Sequence, residues 1–158
     1  DEAVLPYQRP PLSKAFMLGT MTEDALVLRP QAMLDKLDIR LATGIAAVRI
    51  ERAARRLVLS DGQSCGYGHL IIATGSRVRR WSAAGAGLDG LAYLRTLDDA
   101  RVLGARLEAA EDVAVIGAGF IGLEFAAVAA KRGKRVRVFE AADRPMARAV
   151  TPAISAFF

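Results

Sequence analysis

Asp112-Val113-Ala114-Val115-Ile116-Gly117-Ala118-Gly119-Phe120-Ile121-Gly122, running on to Glu140, decides how the rest of the chain is read. Residues 113–116 are an apolar run of strand character, and residues 117–122 are a glycine turn. Residues 123–132 have helical composition, and residues 135–139 form a second strand that ends in Glu140. Strand, G-x-G-x-x-G, helix, strand and acid follow one another, with the acid about 20 residues past the turn. That order and spacing make the fingerprint of a dinucleotide-binding βαβ unit.

Each residue type has a physical task there. Gly117 lets the chain turn sharply off the strand. Gly119, lacking a Cβ, lets a pyrophosphate come close to the backbone, and Gly122 lets the helix lie near the sheet. Phe120 and Ile121 complete the turn, and the helix behind it aims free N–H groups and its positive dipole end at the phosphates. Glu140 is placed to accept hydrogen bonds from the two hydroxyls of an adenosine ribose. A 2′-phosphate would meet a like charge there, so the expected nucleotide is NADH rather than NADPH, with Arg144 near enough in sequence to soften that preference.

A chain of 158 residues, 53% apolar and 25% charged, is long enough for a real core and is not disordered by composition. Its net charge of +5 comes mostly from arginine. No basic run is interleaved with aromatics, so a solvated face is expected rather than a nucleic-acid surface. The longest apolar stretches are broken by Glu124 and by glycines, which leaves no membrane span. A single cysteine, Cys65, excludes an internal disulfide or redox pair, and with no leader visible it points to a reducing cytoplasm. Cys65 is expected as a small buried hydrophobe. The chain opens on Asp1-Glu2 without an initiator Met and stops at Phe157-Phe158, which reads as a piece of a longer protein.

Before the fingerprint, residues 1–22 are extended and proline-marked. Pro10 and Pro11 should keep a helix from opening before Leu12, with Ser13 able to cap a short helix through Met17. Residues 30–37 read as a helix and 39–41 as a short strand-like run. Residues 45–51, 56–60 and 63–67 form a β-meander turning at Asp61-Gly62. His69-Leu70-Ile71-Ile72-Ala73 reads as a strand buried on both faces, ending at Thr74-Gly75. Residues 76–92 form a Gly/Ala-rich connection carrying Arg77, Arg79, Arg80 and Trp81. Thr96 with Asp99 resembles a capping box opening a helix over residues 97–109, whose core face is Ala100, Leu103 and Leu107. His69 is expected at the surface, Trp81 in packing, and a last helix near Pro152.

Five segments spread along the chain resemble one family in its own order. They are Pro6-Tyr7-Gln8-Arg9-Pro10-Pro11-Leu12-Ser13-Lys14, Leu59-Ser60-Asp61-Gly62, Leu70-Ile71-Ile72-Ala73-Thr74-Gly75, Tyr93-Leu94-Arg95-Thr96-Leu97-Asp98-Asp99-Ala100, and the turn from Gly117 on to Glu124. The chain resembles the FAD-dependent, NADH-using ferredoxin reductases, the flavoprotein components of aromatic-ring dioxygenase and cytochrome P450 systems. Their wider class, pyridine nucleotide-disulfide oxidoreductase-like, includes rubredoxin reductases. The resemblance implies an α/β fold of two dinucleotide-binding (Rossmann-like) units, both incomplete here, with a three-stranded β-meander in the first. It divides the chain into a partial FAD-binding domain over residues 1–92 and a partial NADH-binding domain over residues 93–158.

The resemblance also implies roles. Asp1 falls where the family binds the FAD adenosine ribose, Ala47 where a small residue's backbone meets the adenine, and Arg95 where an arginine contacts FAD. Arg9 looks like a lesser, phosphate-side contact. Lys14 matches a lysine beside the flavin ring, and Glu124 a carboxylate near the nicotinamide and that lysine. Both would act by orientation and charge, with no acid–base residue and no metal. Gly117, Gly119, Phe120, Ile121 and Gly122 match the NADH turn, and Glu140 and Arg148 the adenosine-end contacts. The implied chemistry passes hydride from NADH to FAD and then single electrons to a small iron–sulfur acceptor, a ferredoxin or rubredoxin. Two other readings are an NAD-binding fragment without turnover and an apoptosis-inducing-factor-like flavoprotein. The first G-x-G-x-x-G of the family is absent, so poor FAD binding by the isolated piece is expected.

Overall fold

The computed structural model describes residues 2–158; Asp1, with the ribose role expected of it, lies outside the described residues. A 3-10 helix at Pro10–Ser13 comes first, followed by α1 (Glu23–Leu26), α2 (Gln31–Lys36), β1 (Ala47–Glu51), β2 (Arg56–Leu59) and β3 (Ser64–Gly66). Then come α3 (Leu97–Ala109), β4 (Asp112–Ile116), α4 (Phe120–Lys131), β5 (Arg135–Phe139) and α5 (Pro152–Ser155). The chain is α/β, with a three-stranded antiparallel sheet in the order β1-β2-β3 and a two-stranded parallel sheet of β4 and β5. By its contacts it divides into two compact units, one of residues 2–7 with Val27–Ser76, the other of Gln8–Leu26 with Arg77–Phe158.

In the first unit the meander is held in register by pairs such as Ile50 with Leu57 and Leu57 with Cys65. The second hairpin turns at Asp61-Gly62, where Gly62 has φ +83° and the Asp61 carboxylate accepts from the Gln63 N–H at 2.9 Å. Residues 2–7 are tied in by the Tyr7–Val27 bridge and by the Gly44 N–H donating to the Glu2 carbonyl at 3.0 Å.

Three expectations for this unit are corrected. The apolar run at residues 69–73 is not a strand: Ile71 is 87% and Ile72 68% exposed. No strand pairs with it among the described residues, and without ladder partners a strand has nowhere to place its N–H and C=O groups. Residues 39–41 likewise form no strand and are exposed. Cys65 is exposed, because nothing described covers the outer strand β3 on which it sits. His69 is exposed, as expected.

In the second unit β4 and β5 pair from Asp112 with Arg135 to Ile116 with Phe139, and α4 crosses between them as the βαβ order requires. Arg135 closes the start of the ladder with two bonds to the Asp112 carboxylate, at 2.8 and 2.7 Å. This pairing holds the Asp112 carboxyl below the usual carboxylate range. The capping box at Thr96 forms in both directions: the Asp99 N–H donates to Thr96 Oγ1 at 3.1 Å and the Thr96 N–H to Asp99 Oδ2 at 2.9 Å. Of the core face expected on α3, Ala100 and Leu107 are buried and Leu103 is half-buried.

Gln8–Leu26 packs onto this unit through Leu12, Met17 and Leu26, all buried. The Arg132 guanidinium donates to the Met17 carbonyl at 3.1 Å, and Arg101 donates twice to the Glu23 carboxylate, at 2.7 and 2.5 Å. The expectation for the prolines is corrected too. The helix begins at Pro10, because a ring-fixed φ and a missing N–H suit the first positions of a helix, where no N–H has an internal partner. Ser13 is therefore its last residue rather than a cap. Trp81 is exposed rather than packed, with its indole N–H donating to the Ala84 carbonyl at 3.0 Å. Along β4 an apolar groove of about 590 Å³ is lined by Trp81, Leu103, Leu107, Val113, Val115 and Phe125.

Candidate functional site

The glycine turn continues the sheet before it leaves it. The Gly117 N–H donates to the Phe139 carbonyl at 2.7 Å, one step past the last paired residues. Gly117 then adopts φ +103°, a conformation L side chains rarely take, and swings the chain into α4. A Cβ on Gly122 would lie 2.1 Å from the Gly117 carbonyl oxygen and 3.3 Å from Val115 Cγ1. The third glycine is thus what lets the helix press against its own strand. A Cβ on Gly119 would meet nothing within 4 Å. The space in front of the middle glycine is open.

Gly119 is also the N-cap of α4 and supplies no side chain to cap it. The N–H groups of the first turn, at Phe120, Ile121 and Gly122, are left for whatever stands before the turn. Phe120 and Ile121 are more than half exposed.

Glu140 reaches back to this turn. Its Oε2 accepts from the Ala118 N–H at 2.7 Å and its Oε1 from the Ala142 N–H at 2.9 Å. Bonds from the Ala142 and Ala118 amides hold the carboxyl below the usual carboxylate range, and the nearby Arg148 charge adds to the effect. Each carboxylate oxygen keeps a lone pair for a further donor. The Ala118 carbonyl in turn accepts from the Met146 N–H at 2.9 Å, so the alanine between the first two glycines is gripped from both sides. Met146 is buried and holds φ +49°. Arg144 is not turned to Glu140; it donates to the Ala147 and Val150 carbonyls at 2.8 and 3.0 Å and closes its own loop.

One turn into α4 a second group of predicted residues meets. Lys14 Nζ lies 3.0 Å from Glu124 Oε1, and Ser13 Oγ donates to Glu124 Oε2 at 2.5 Å. Nearby in chain, the Arg9 guanidinium donates to the Arg95 carbonyl at 2.7 Å, while the Arg95 N–H donates to Asp99 Oδ2 at 3.0 Å. The structure thus joins Lys14 to Glu124, Arg9 to Arg95, and Glu140 to the glycine turn, with the Arg148 charge acting on Glu140. Ala47 is the exposed first residue of β1, in the other unit.

Sequence reasoning missed Ser13 and Met146. For Ser13 the only local signal was a hydroxyl beside the lysine, because its partner lies 111 residues further on. Met146 carried none, since a left-handed methionine has no sequence signature. Among the described residues no group of three or more His, Cys, Asp or Glu side chains could hold a metal ion, and no helix is long and apolar enough to cross a membrane.

Comparison with known proteins agrees with this geometry. The chain is 48% identical over its whole length to rhodocoxin reductase of Rhodococcus erythropolis, of which it covers 37%. It is 43% identical over 152 residues, 96% of the chain, to rubredoxin-NAD(+) reductase of Pseudomonas putida, of which it covers 40%. The ferredoxin reductase of the CYP199A2 system from Rhodopseudomonas palustris superimposes with a TM-score of 0.95 at 47% identity, over all of this chain and 39% of that one. Putidaredoxin reductase, solved in covalent complex with putidaredoxin, gives a TM-score of 0.93 at 38% identity, over 99% of this chain and 38% of that one. The chain therefore spans about two fifths of the length of these relatives. The family model for pyridine nucleotide-disulphide oxidoreductases matches residues 1–158, and the chain belongs to that family.

Proposed function

We propose that this chain is the nucleotide-handling portion of an FAD-dependent reductase that takes hydride from NADH and delivers single electrons to a ferredoxin- or rubredoxin-type iron–sulfur protein in the cytoplasm. The observation that carries the reading is the open space before Gly119 at an uncapped helix mouth, with the Glu140 carboxylate fastened beside it. The residues fit the nucleotide: a pyrophosphate needs N–H donors and a backbone free of Cβ atoms, and both are present. Support for the electron acceptor comes from the relatives, which are named as rubredoxin, ferredoxin and putidaredoxin reductases.

When bound, NADH and FAD supply the hydride and electron chemistry themselves. The chain's residues bind and orient. Gly117, Gly119 and Gly122 shape the turn, and α4 offers its dipole and first N–H groups to the phosphates. Glu140 accepts from ribose hydroxyls while it holds Ala118, and Arg148 adds positive charge at that end. Lys14 and Glu124 form an ion pair at the flavin and nicotinamide side, where the lysine charge favours an electron-rich ring. Arg9, Arg95, Ala47 and Asp1 serve the FAD end, within a division into an FAD-binding part at 1–92 and an NADH-binding part at 93–158.

The test uses the full-length protein that carries this chain, loaded with FAD and mixed anaerobically with NADH. The flavin absorbance should bleach, and the reduced protein should reduce an iron–sulfur acceptor. Replacing Glu140 with Arg should move the preference toward NADPH by about tenfold, the scale of one charge-assisted contact. Glu140→Ala serves as the control for the lost grip on Ala118. Unchanged selectivity in Glu140→Arg would remove the role given to Glu140.

A further inference from the structure

Among the described residues only Ser13 and Ser155 are buried polar side chains, and Ser13, at 4% exposure, is the one that touches a proposed site residue. Its single hydroxyl proton has two acceptors within reach, Glu124 Oε2 at 2.5 Å and the Pro10 carbonyl at 3.4 Å. The shorter contact to a charged oxygen takes it. The other oxygen of the same carboxylate faces Lys14 at 3.0 Å.

These two grips differ in kind. The Lys14 side chain is 52% exposed and that of Glu124 28%, so their ion pair is half in water and bears the entropy of a long flexible stem. A pair of that sort does little to fix a rotamer. Ser13 has one side-chain torsion to lose, and it stands on a rigid support. Pro10 and Pro11 open its 3-10 helix, the Leu12 N–H donates to the Arg9 carbonyl at 3.0 Å, and Leu12 is buried beside it.

We propose that Ser13 is a positioning residue for hydride transfer: its buried hydroxyl fixes the side chain of Glu124, and the carboxylate so fixed determines where the Lys14 ammonium stands. The inference rests on the reading that Lys14 and Glu124 face the bound cofactors. It differs from a role for the ion pair alone, in which Ser13 would be no more than filler.

The experiment is a mutant cycle in the FAD-loaded full-length protein, with Ser13→Ala, Glu124→Gln and the double variant, read by rapid-mixing flavin reduction and by crystal structures. Ser13→Ala should slow flavin reduction about tenfold, the loss of one charge-assisted hydrogen bond, while NADH affinity changes by less than about twofold. In the Glu124→Gln background the same change should cost no further rate, and in the Ser13→Ala structure Glu124 should occupy more than one rotamer. Ser13→Cys keeps the volume with a weaker donor and should fall between, which retains the test if the alanine variant loses flavin. Equal slowing by Ser13→Ala in both backgrounds overturns the proposal, as does a single unchanged Glu124 rotamer. The rotamer result stands whether or not NADH reduces the wild-type flavin, so failure of this inference and failure of the proposed function are separately visible.

Discussion

Gly119 and Gly122 stand three positions apart and serve opposite ends. Gly122 is forbidden a side chain by the protein itself, since a Cβ would press on the Gly117 carbonyl at 2.1 Å. That neighbour is backbone and cannot rotate away. Gly122→Ala should therefore destabilise the fold by about 3 kcal/mol or more, measured by urea unfolding. Gly119→Ala has open space and an ordinary φ of −85°, so its stability should stay within about 0.5 kcal/mol of wild type. Its NADH affinity in the full-length protein should nonetheless fall about tenfold, because the methyl occupies the place of an oncoming phosphate. Wild-type affinity in Gly119→Ala would mean that no ligand backbone approach occurs there. Both glycines were legible in sequence because strand, turn and helix are consecutive. The orientation of Glu140 onto the Ala118 N–H was not, and neither was the Ser13–Glu124 contact, since each depends on segments distant in the chain meeting in space.

At the scale of elements, α3 was readable to the residue because its signals are local. Thr96 and Asp99 sit in one turn and satisfy each other's backbone donors. Thr96→Ala should cost about 1 kcal/mol in urea unfolding. Asp99→Ala should cost more, about 2 kcal/mol, because Asp99 Oδ2 also accepts from the Arg95 N–H and two donors would be orphaned together. Equal losses would show that the Arg95 bond contributes nothing. The cap thus does a second task, setting the backbone of a residue proposed to meet FAD. The apolar run at residues 69–73 failed as an element for the reason that α3 succeeded. A helix carries its hydrogen-bond partners within itself, whereas a strand borrows them from a neighbour.

At the scale of the whole molecule, the parallel sheet has only β4 and β5, so each strand has one edge without a ladder partner among the described residues. Ile116, Val138, Phe139, Ile71 and Ile72 are exposed. Open strand edges with apolar side chains favour pairing with other chains. The isolated 158-residue chain should self-associate and bind an apolar dye such as ANS, seen by sedimentation and fluorescence; a dye-silent monomer would contradict this. The packing of Gln8–Leu26 against the unit built from Arg77–Phe158 has a practical corollary for anyone dividing the gene. A clone that starts after Ser76 would keep the nucleotide turn and yet lose Leu12, Met17 and Leu26, which are buried in the same unit, together with the lysine opposite Glu124. Cutting after Ser76 would leave a unit stripped of part of its own packing, and a silent binding assay on such a piece would say nothing about the full-length protein.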